Sequence, residues 1–181
     1  MSAAVALARH GETPFNAEGR FQGHLPVPLT ERGVQQARDL AVAVARREWA
    51  ALWCSPLERA RQTAAIVAEA IGLQPREDAR FAETDTGDWT GRSFAEIQAE
   101  DPVGFQGFVD ADPAFGFPGG ESFAQQSERV VAALADVRAG ALPALVVCHR
   151  GVIRLALVAA TGDEAVRRDA IPNAALVDLP G

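Results

Sequence analysis

The sequence predicts an α/β domain, a three-layer α/β/α sandwich around a mostly parallel central sheet. Three observations carry that reading. Short apolar runs alternate along the chain with longer segments of helical period. The runs at 5–8 and 144–148 are apolar at every position, as strands covered on both faces are. Two helical segments open on a Ser followed three residues later by Glu or Gln, the pattern of a capping box. A chain of 181 residues can bury about 70% of its unfolded surface without disulfides or a partner, so we expect one domain over 1–181, with 81–120 as a segment covering the site.

Taken in order, Val5–Ala8 reads as the first, central strand, and 11–29 as a loop punctuated by Gly11, Pro14, Gly19, Gly23, Pro26 and Pro28. Thr30 offers an N-cap to a helix whose Val34, Ala37, Leu40, Ala41 and Val44 share one face. "ALWC" at 51–54 is a second strand. Ser55 as N-cap, Pro56 as first helical residue and Glu58 three positions after Ser55 then predict a helix start. Leu57, Ala60, Ala64, Val67, Ala68 and Ile71 form its apolar stripe, and Gly72 ends it. Residues 81–120 are rich in Gly, Pro and Phe, with one short helix expected over 93–100. A further helix begins at Ser122, with Gln125 completing a capping box, and runs to Gly140. The strand 144–148 leads into a helix from 152, and "AALVDL" at 174–179 is the last strand.

Composition narrows the partners. A net charge of −7 argues against a general nucleic-acid binder or a binder of anionic membranes, since both need clustered positive charge. No apolar run is long enough to span a bilayer. The opening residues lack the pattern of a signal peptide, so the cytoplasm is the expected location. Cys54 and Cys148 sit in apolar stretches without metal-ligand spacing and read as structural. All 17 basic residues are Arg, a planar fork suited to oxyanions, although codon usage explains such uniformity equally well.

The chemistry gathers where strands end. His10 follows the first strand beside Arg9, and His149 follows the strand at 144–148 beside Arg150. Ligands of open α/β sheets bind outside the carboxyl ends of strands. Arg59, in the first turn of a capped helix, adds a fork to the positive end of a helix dipole. Phosphate fits such a nest, because guanidinium groups pair with its oxygens in bidentate fashion. A neutral imidazole held there through one nitrogen could attack phosphorus with the other. Singly, each residue has a plainer reading: a strand-end His as a packing or capping residue, Arg59 as a surface charge. Two histidines, each adjoining Arg at a strand end, favour the phosphate reading.

The segments "LARHGETPFN", "CSPLERARQTA", "FAETDTGDWTG", "PGGES" and "VVCHRGVIR" resemble, in order, the motifs of the histidine phosphatase superfamily, the phosphoglycerate mutase-like family. The resemblance spans residues 5 to 155 and implies the phosphoglycerate mutase-like sandwich and a covalent phosphohistidine mechanism without cofactor or metal. It implies that His10 is the nucleophile and that Arg9, Arg59 and His149 clamp the phosphoryl oxygens. Glu83 would act as proton donor and then acceptor, though Asp85 and Asp88 lie close by in the sequence. Asn16, with Thr13 and Gly11 of the same loop, would bind substrate. Glu83 should hold a proton at working pH, desolvated by Phe81 or Trp89. Arg150 and His24 complete the candidate substrate-binding set, His24 either at the substrate rim or in solvent.

Three departures stand out. Arg150 occupies a position where a small residue is usual in the family, and could recognise a second anionic group or fold back on a carboxylate. Pro26 stands where relatives often carry Asp. The sequence ends soon after "AALVDL", which suggests that an element covering the site elsewhere is missing here. The stretch from Gly91 to Pro118 is short for a glycolytic mutase. The expected activity is therefore hydrolysis of a small-molecule phosphate ester, with a cofactor-dependent phosphoglycerate mutase or a non-catalytic phosphate-binding regulator as alternatives. A metal-dependent phosphatase is disfavoured, since "DADP" at 110–113 follows no clear strand. A homodimer is compatible with the sequence.

Overall fold

The computed structural model describes residues 4–168 and 170–180. Five strands, β1 (Val5–Arg9), β2 (Ala51–Cys54), β3 (Pro75–Glu77), β4 (Ala144–Cys148) and β5 (Leu176–Leu179), form one sheet in the order β3-β2-β4-β1-β5. All neighbours are parallel except β5, which runs antiparallel along β1. The helices are α1 (Pro14–Glu18), α2 (Glu31–Val44), α3 (Glu58–Ile71), α4 (Phe94–Glu100), α5 (Pro102–Val109), α6 (Phe123–Ala139) and α7 (Arg150–Thr161).

The three layers follow from strand alternation. Val5 and Leu7 of β1 with Ala144, Val146 and Cys148 of β4 meet Val130, Leu134 and Val137 of α6 and Val152, Ile153 and Ala156 of α7. The intervening residues Ala6, Ala8, Leu145 and Val147 meet Leu40 and Val44 of α2 and Ala60, Ala64 and Val67 of α3 on the opposite face. Successive strand side chains point to opposite faces, so unbroken apolar runs build two cores at once. A third cluster, separate from both, joins Phe21, Trp89, Ile97 and Phe117, with Phe94, Phe105, Phe108, Phe115 and Phe123 packed around it. It includes residues of α4 and α5.

Several elements differ from expectation. The stretch 11–29 is not all loop, because Thr13 caps α1 through a reciprocal pairing with Asn16, with Pro14 in its first turn. The helix expected at Ser55 starts at Glu58, with Leu57 in the N-cap position and no side-chain cap. Ser55 Oγ accepts only the Leu57 N–H there, and it is paired with a histidine described below. Strand β3 and helix α5 carry no strong period; β3 has three residues on the sheet edge. Helix α7 begins at Arg150 rather than 152, and β5 at Leu176. The caps at Thr30 and Ser122 form as their sequences predict, and Ser93 caps α4 through a reciprocal pairing with Glu96.

Two glycines bring the site loop onto α2. A Cβ on Gly11 would lie 2.3 Å from the Gly33 carbonyl oxygen, and one on Gly33 would lie 2.0 Å from the Glu12 carbonyl oxygen. Only residues without a side chain permit that approach. Among the described residues no helix is long and apolar enough to cross a membrane, and no group of three His, Cys, Asp or Glu is placed to hold a metal ion.

Candidate active site

The parallel register of β1 and β4 sets Arg9 opposite Cys148, and the His10 N–H donates to the Cys148 carbonyl at 3.0 Å. The residues that follow each strand therefore emerge side by side. The rings of His10 and His149 lie 5.1 Å apart between centroids, tilted by 59°, and both are buried. His10 stands at a cavity of about 300 Å³ that Arg9, Asn16, Arg59, Glu83 and Arg150 also help to line, whereas His149 does not line it. Chain-distant residues thus meet at one end of the sheet because two adjacent strands point the same way.

His10 Nδ1 lies 2.7 Å from the Gly11 carbonyl oxygen. A carbonyl only accepts, so Nδ1 carries the proton and Nε2 keeps its lone pair. Burial pushes the His10 pKa well below 6.5, and His149, Arg59 and Arg9 push it further the same way. The loop is secured by the Gly11 N–H donating to Thr63 Oγ1 at 3.1 Å. His149 pairs through Nε2 with Ser55 Oγ at 2.7 Å, while its Nδ1 is buried without a partner. Burial, then Arg59 and Arg9, likewise keep His149 neutral.

The two guanidinium groups are held by backbone carbonyls, so their positive charge is oriented rather than neutralised. Arg9 Nη1 donates to the Ile171 carbonyl at 2.5 Å, and Arg59 Nη2 donates to that of Gly23 at 2.9 Å. The Nε of each is buried and unpartnered. Burial lowers both to a pKa of about 10, with Arg150 as the next cause for Arg9. Buried nitrogens without partners on Arg9 and Arg59, which both line the cavity, suit the binding of an oxyanion. Among them Arg59 is only 1% exposed, which is far from the surface helix charge it would otherwise be.

Glu83 corrects an expectation. Burial raises its pKa, but donors reverse the balance: the N–H groups of Thr84 and Gly151, the Arg59 charge and Gln126 Nε2 together hold it below the ordinary value of 4.5. Thr84 N–H and Gln126 Nε2 reach Oε1 at 3.1 Å each, and Gly151 N–H reaches Oε2 at 3.2 Å. These donors favour the ionised carboxylate. Phe81 belongs to the sandwich core and Trp89 to the aromatic cluster.

The remaining candidates divide. Asn16 lines the cavity, and its Oδ1 accepts from Thr13 N–H and Asn173 Nδ2 at 3.1 Å each, which leaves its NH₂ as the group able to meet a ligand. Gly11 and Thr13 do not line the cavity; they hold His10 and Asn16. His24 is exposed and stands outside it too, with Nε2 donating to the Glu83 carbonyl at 2.8 Å. That carbonyl also accepts from Arg129 Nη2, and Arg129 is paired with Glu121 of "GGES".

Sequence reasoning missed Ser55 as a histidine partner, along with Gln126, Asn173 and Thr63. Ser55 was hidden by its resemblance to a helix cap. Asn173, a lone amide ahead of an apolar strand, was a visible signal. Gln126, inside a helix of ordinary pattern, offered none.

A model of the histidine phosphatase superfamily, branch 1, matches residues 5–179 of the chain. The chain is 38% identical over 134 residues to phosphoserine phosphatase 1 of Hydrogenobacter thermophilus, covering 74% of this chain and 64% of that protein. The match thus spans slightly less than two thirds of that relative's length. A probable phosphoglycerate mutase of Klebsiella pneumoniae is 39% identical over 145 residues, covering 78% of this chain and 67% of its own. The solved structure of a mycobacterial glucosyl-3-phosphoglycerate phosphatase complexed with VO3 superposes with a TM-score of 0.88 at 29% identity, covering 97% of this chain and 91% of that one.

Proposed function

Since this chain belongs to the histidine phosphatase superfamily, branch 1, we propose that it hydrolyses a small phosphorylated metabolite through a phosphohistidine formed on His10. The observation that carries the reading is the hydrogen bond from His10 Nδ1–H to the Gly11 carbonyl, which leaves Nε2 unprotonated at a cavity walled by Arg9 and Arg59. In the first step Nε2 attacks phosphorus, the N–P bond forms and the ester P–O bond breaks. The leaving oxygen takes a proton from Glu83. In the second step water attacks the phosphorus, Glu83 takes its proton, and the N–P bond breaks to release phosphate and neutral His10.

Glu83 is held below its ordinary pKa, so the proton it donates arrives with the substrate. A phosphate monoester has a second ionisation near pH 6, roughly, and its monoanion can deliver that proton. The incoming negative charge also raises the carboxyl's proton affinity. Arg9, Arg59 and the Asn16 amide would hold the non-bridging oxygens. Ser55 would orient His149 so that its Nδ1 faces the phosphoryl group.

Relatives named for phosphoserine and for phosphoglycerate chemistry support a small, polar metabolite. The mutase relative raises transfer to a second phosphorylated molecule as the rival fate. The short stretch from Gly91 to Pro118 favours water as acceptor. A panel of monoesters assayed with the parent and His10→Ala tests the reading. The parent should hydrolyse at least one, and the variant should fall by about a thousandfold or more. Alkaline quenching of the parent should trap phosphate on His10. A variant as fast as the parent, or interconversion of phosphoglycerates without release of phosphate, would overturn the proposal.

A further inference from the structure

The cavity carries one more positive charge than the phosphoryl group needs. Arg9, Arg20, Arg59 and Arg167 on its wall each donate to a carbonyl or a carboxylate. Arg154, one helical turn after Arg150, is also engaged. Arg150, partly buried as the first residue of α7, has no hydrogen bond or ion pair among the described residues. Its nearest consequence is repulsive, because after burial itself it is the charge that most lowers the pKa of Arg9. An unpaired guanidinium pressed toward another on a cavity wall is unfavourable without a compensating anion, and among the described residues the carboxylate that lines the cavity, Glu83, is held by Thr84, Gly151 and Gln126 instead.

We infer that Arg150 binds an oxyanion carried by the leaving group, so that the preferred substrates are small phosphate monoesters bearing a second negative group, carboxylate or phosphate. This rests on the phosphatase reading above. When Glu83 holds the proton it donates, Arg9, Arg59 and Arg150 face a phosphoryl group of two negative charges, and one cation is in excess. The rest of the wall defines the body of the leaving group. Phe15, Phe21, Phe94, Phe108 and Phe117 line the cavity, and its volume of about 300 Å³ stands at the small end of ligand pockets, roughly 300–1,000 Å³. A single ring or short chain fits.

The test compares three aryl esters of one shape: phenyl phosphate, meta-carboxyphenyl phosphate and the neutral meta-carbamoylphenyl phosphate. The parent should favour the carboxylate over the carbamoyl ester by about tenfold in kcat/KM, the effect of one charge-assisted hydrogen bond. Arg150→Met should reduce that ratio to within about twofold, and Arg150→Lys should retain part of it. A meta-phenylene bisphosphate arm shows whether phosphate serves better than carboxylate. Calorimetry with the unhydrolysable meta-carboxybenzyl and meta-carbamoylbenzyl phosphonates reads the same ratio in Kd. Absence of turnover, which would count against the phosphatase reading, therefore leaves this test intact. An equal loss on all esters in Arg150→Met would place Arg150 on the transferred phosphoryl group. That outcome, or a parent without preference, would overturn the inference.

Discussion

At the scale of single residues, the site depends on which atoms are already occupied. His10 Nδ1 is bound to the Gly11 carbonyl and His149 Nε2 to Ser55, so each ring commits one nitrogen to a hydrogen bond and leaves the other without one. Since the His10 pKa lies well below 6.5, kcat/KM should show no acid limb at about pH 6.5, the ordinary imidazole value. A limb centred there, removed by no other substitution, would mean that His10 titrates as a solvated ring. Gln126 acts through Glu83 as a positioning residue, fully buried, with Nε2 on the carboxylate and Oε1 accepting from Thr84 Oγ1 at 2.5 Å. Gln126→Met removes a donor that favours the ionised carboxylate, so the pKa of Glu83 must rise. The alkaline limb of kcat should move upward in pH while stability falls by about 1–3 kcal/mol, since Thr84 loses its acceptor. A stability loss with an unmoved pH profile would reduce Gln126 to a packing role.

At the scale of elements, the aromatic cluster whose Phe21, Phe94, Phe108 and Phe117 line the cavity packs apart from both sandwich cores. Phe21 sits at its centre, 3% exposed, with ring contacts to Trp89, Phe94, Phe108 and Phe117 at 4.6–6.0 Å. Phe21→Ala should cost about 3–5 kcal/mol of packing, and the loss should fall on this cluster, because Phe21 touches neither sandwich core. Limited proteolysis should then cut within 94–109 while far-UV dichroism of the sandwich is retained, and KM should rise. Cooperative loss of the whole fold would show instead that the cluster and the sandwich are one unit. The sequence made the sandwich legible and the cluster much less so, for a physical reason. Strands β1 and β4 are buried on both faces, so their composition is uniform, and α2 and α6 carry caps that stand out locally. Helix α5, with Phe105 and Phe108 set among Gly104 and Gly107, is stabilised by rings from other elements and has little period of its own. Within 81–120 the sequence shows α4, expected over 93–100, but not α5. Ser55 misled for a related reason, since a capping pattern is local and its hydroxyl is claimed by His149, 94 residues away.

At the scale of the whole molecule, the fold concentrates charge that it does not neutralise at the carboxyl end of a parallel sheet, and stability must depend on pH in consequence. His10 and His149 are neutral in the folded state, with pKa values well below 6.5, whereas in the unfolded chain both titrate at the ordinary value. As pH falls below 6.5 the unfolded chain binds protons that the folded protein does not, so the unfolded state gains and stability drops. Glu83, held below 4.5, adds a loss in the same direction at lower pH. With both rings neutral throughout, the unfolding free energy should fall by about 2.5 kcal/mol between pH 7.5 and 5.5. Urea titration of the ligand-free protein across that range measures it. The variant His10→Gln/His149→Asn, whatever its absolute stability, should lose most of this slope, because neither replacement titrates. Identical slopes in parent and variant would mean that the two rings are protonated in the folded protein. The residual positive field would then be larger than the geometry implies, and His10 would be unable to act as a nucleophile near neutral pH.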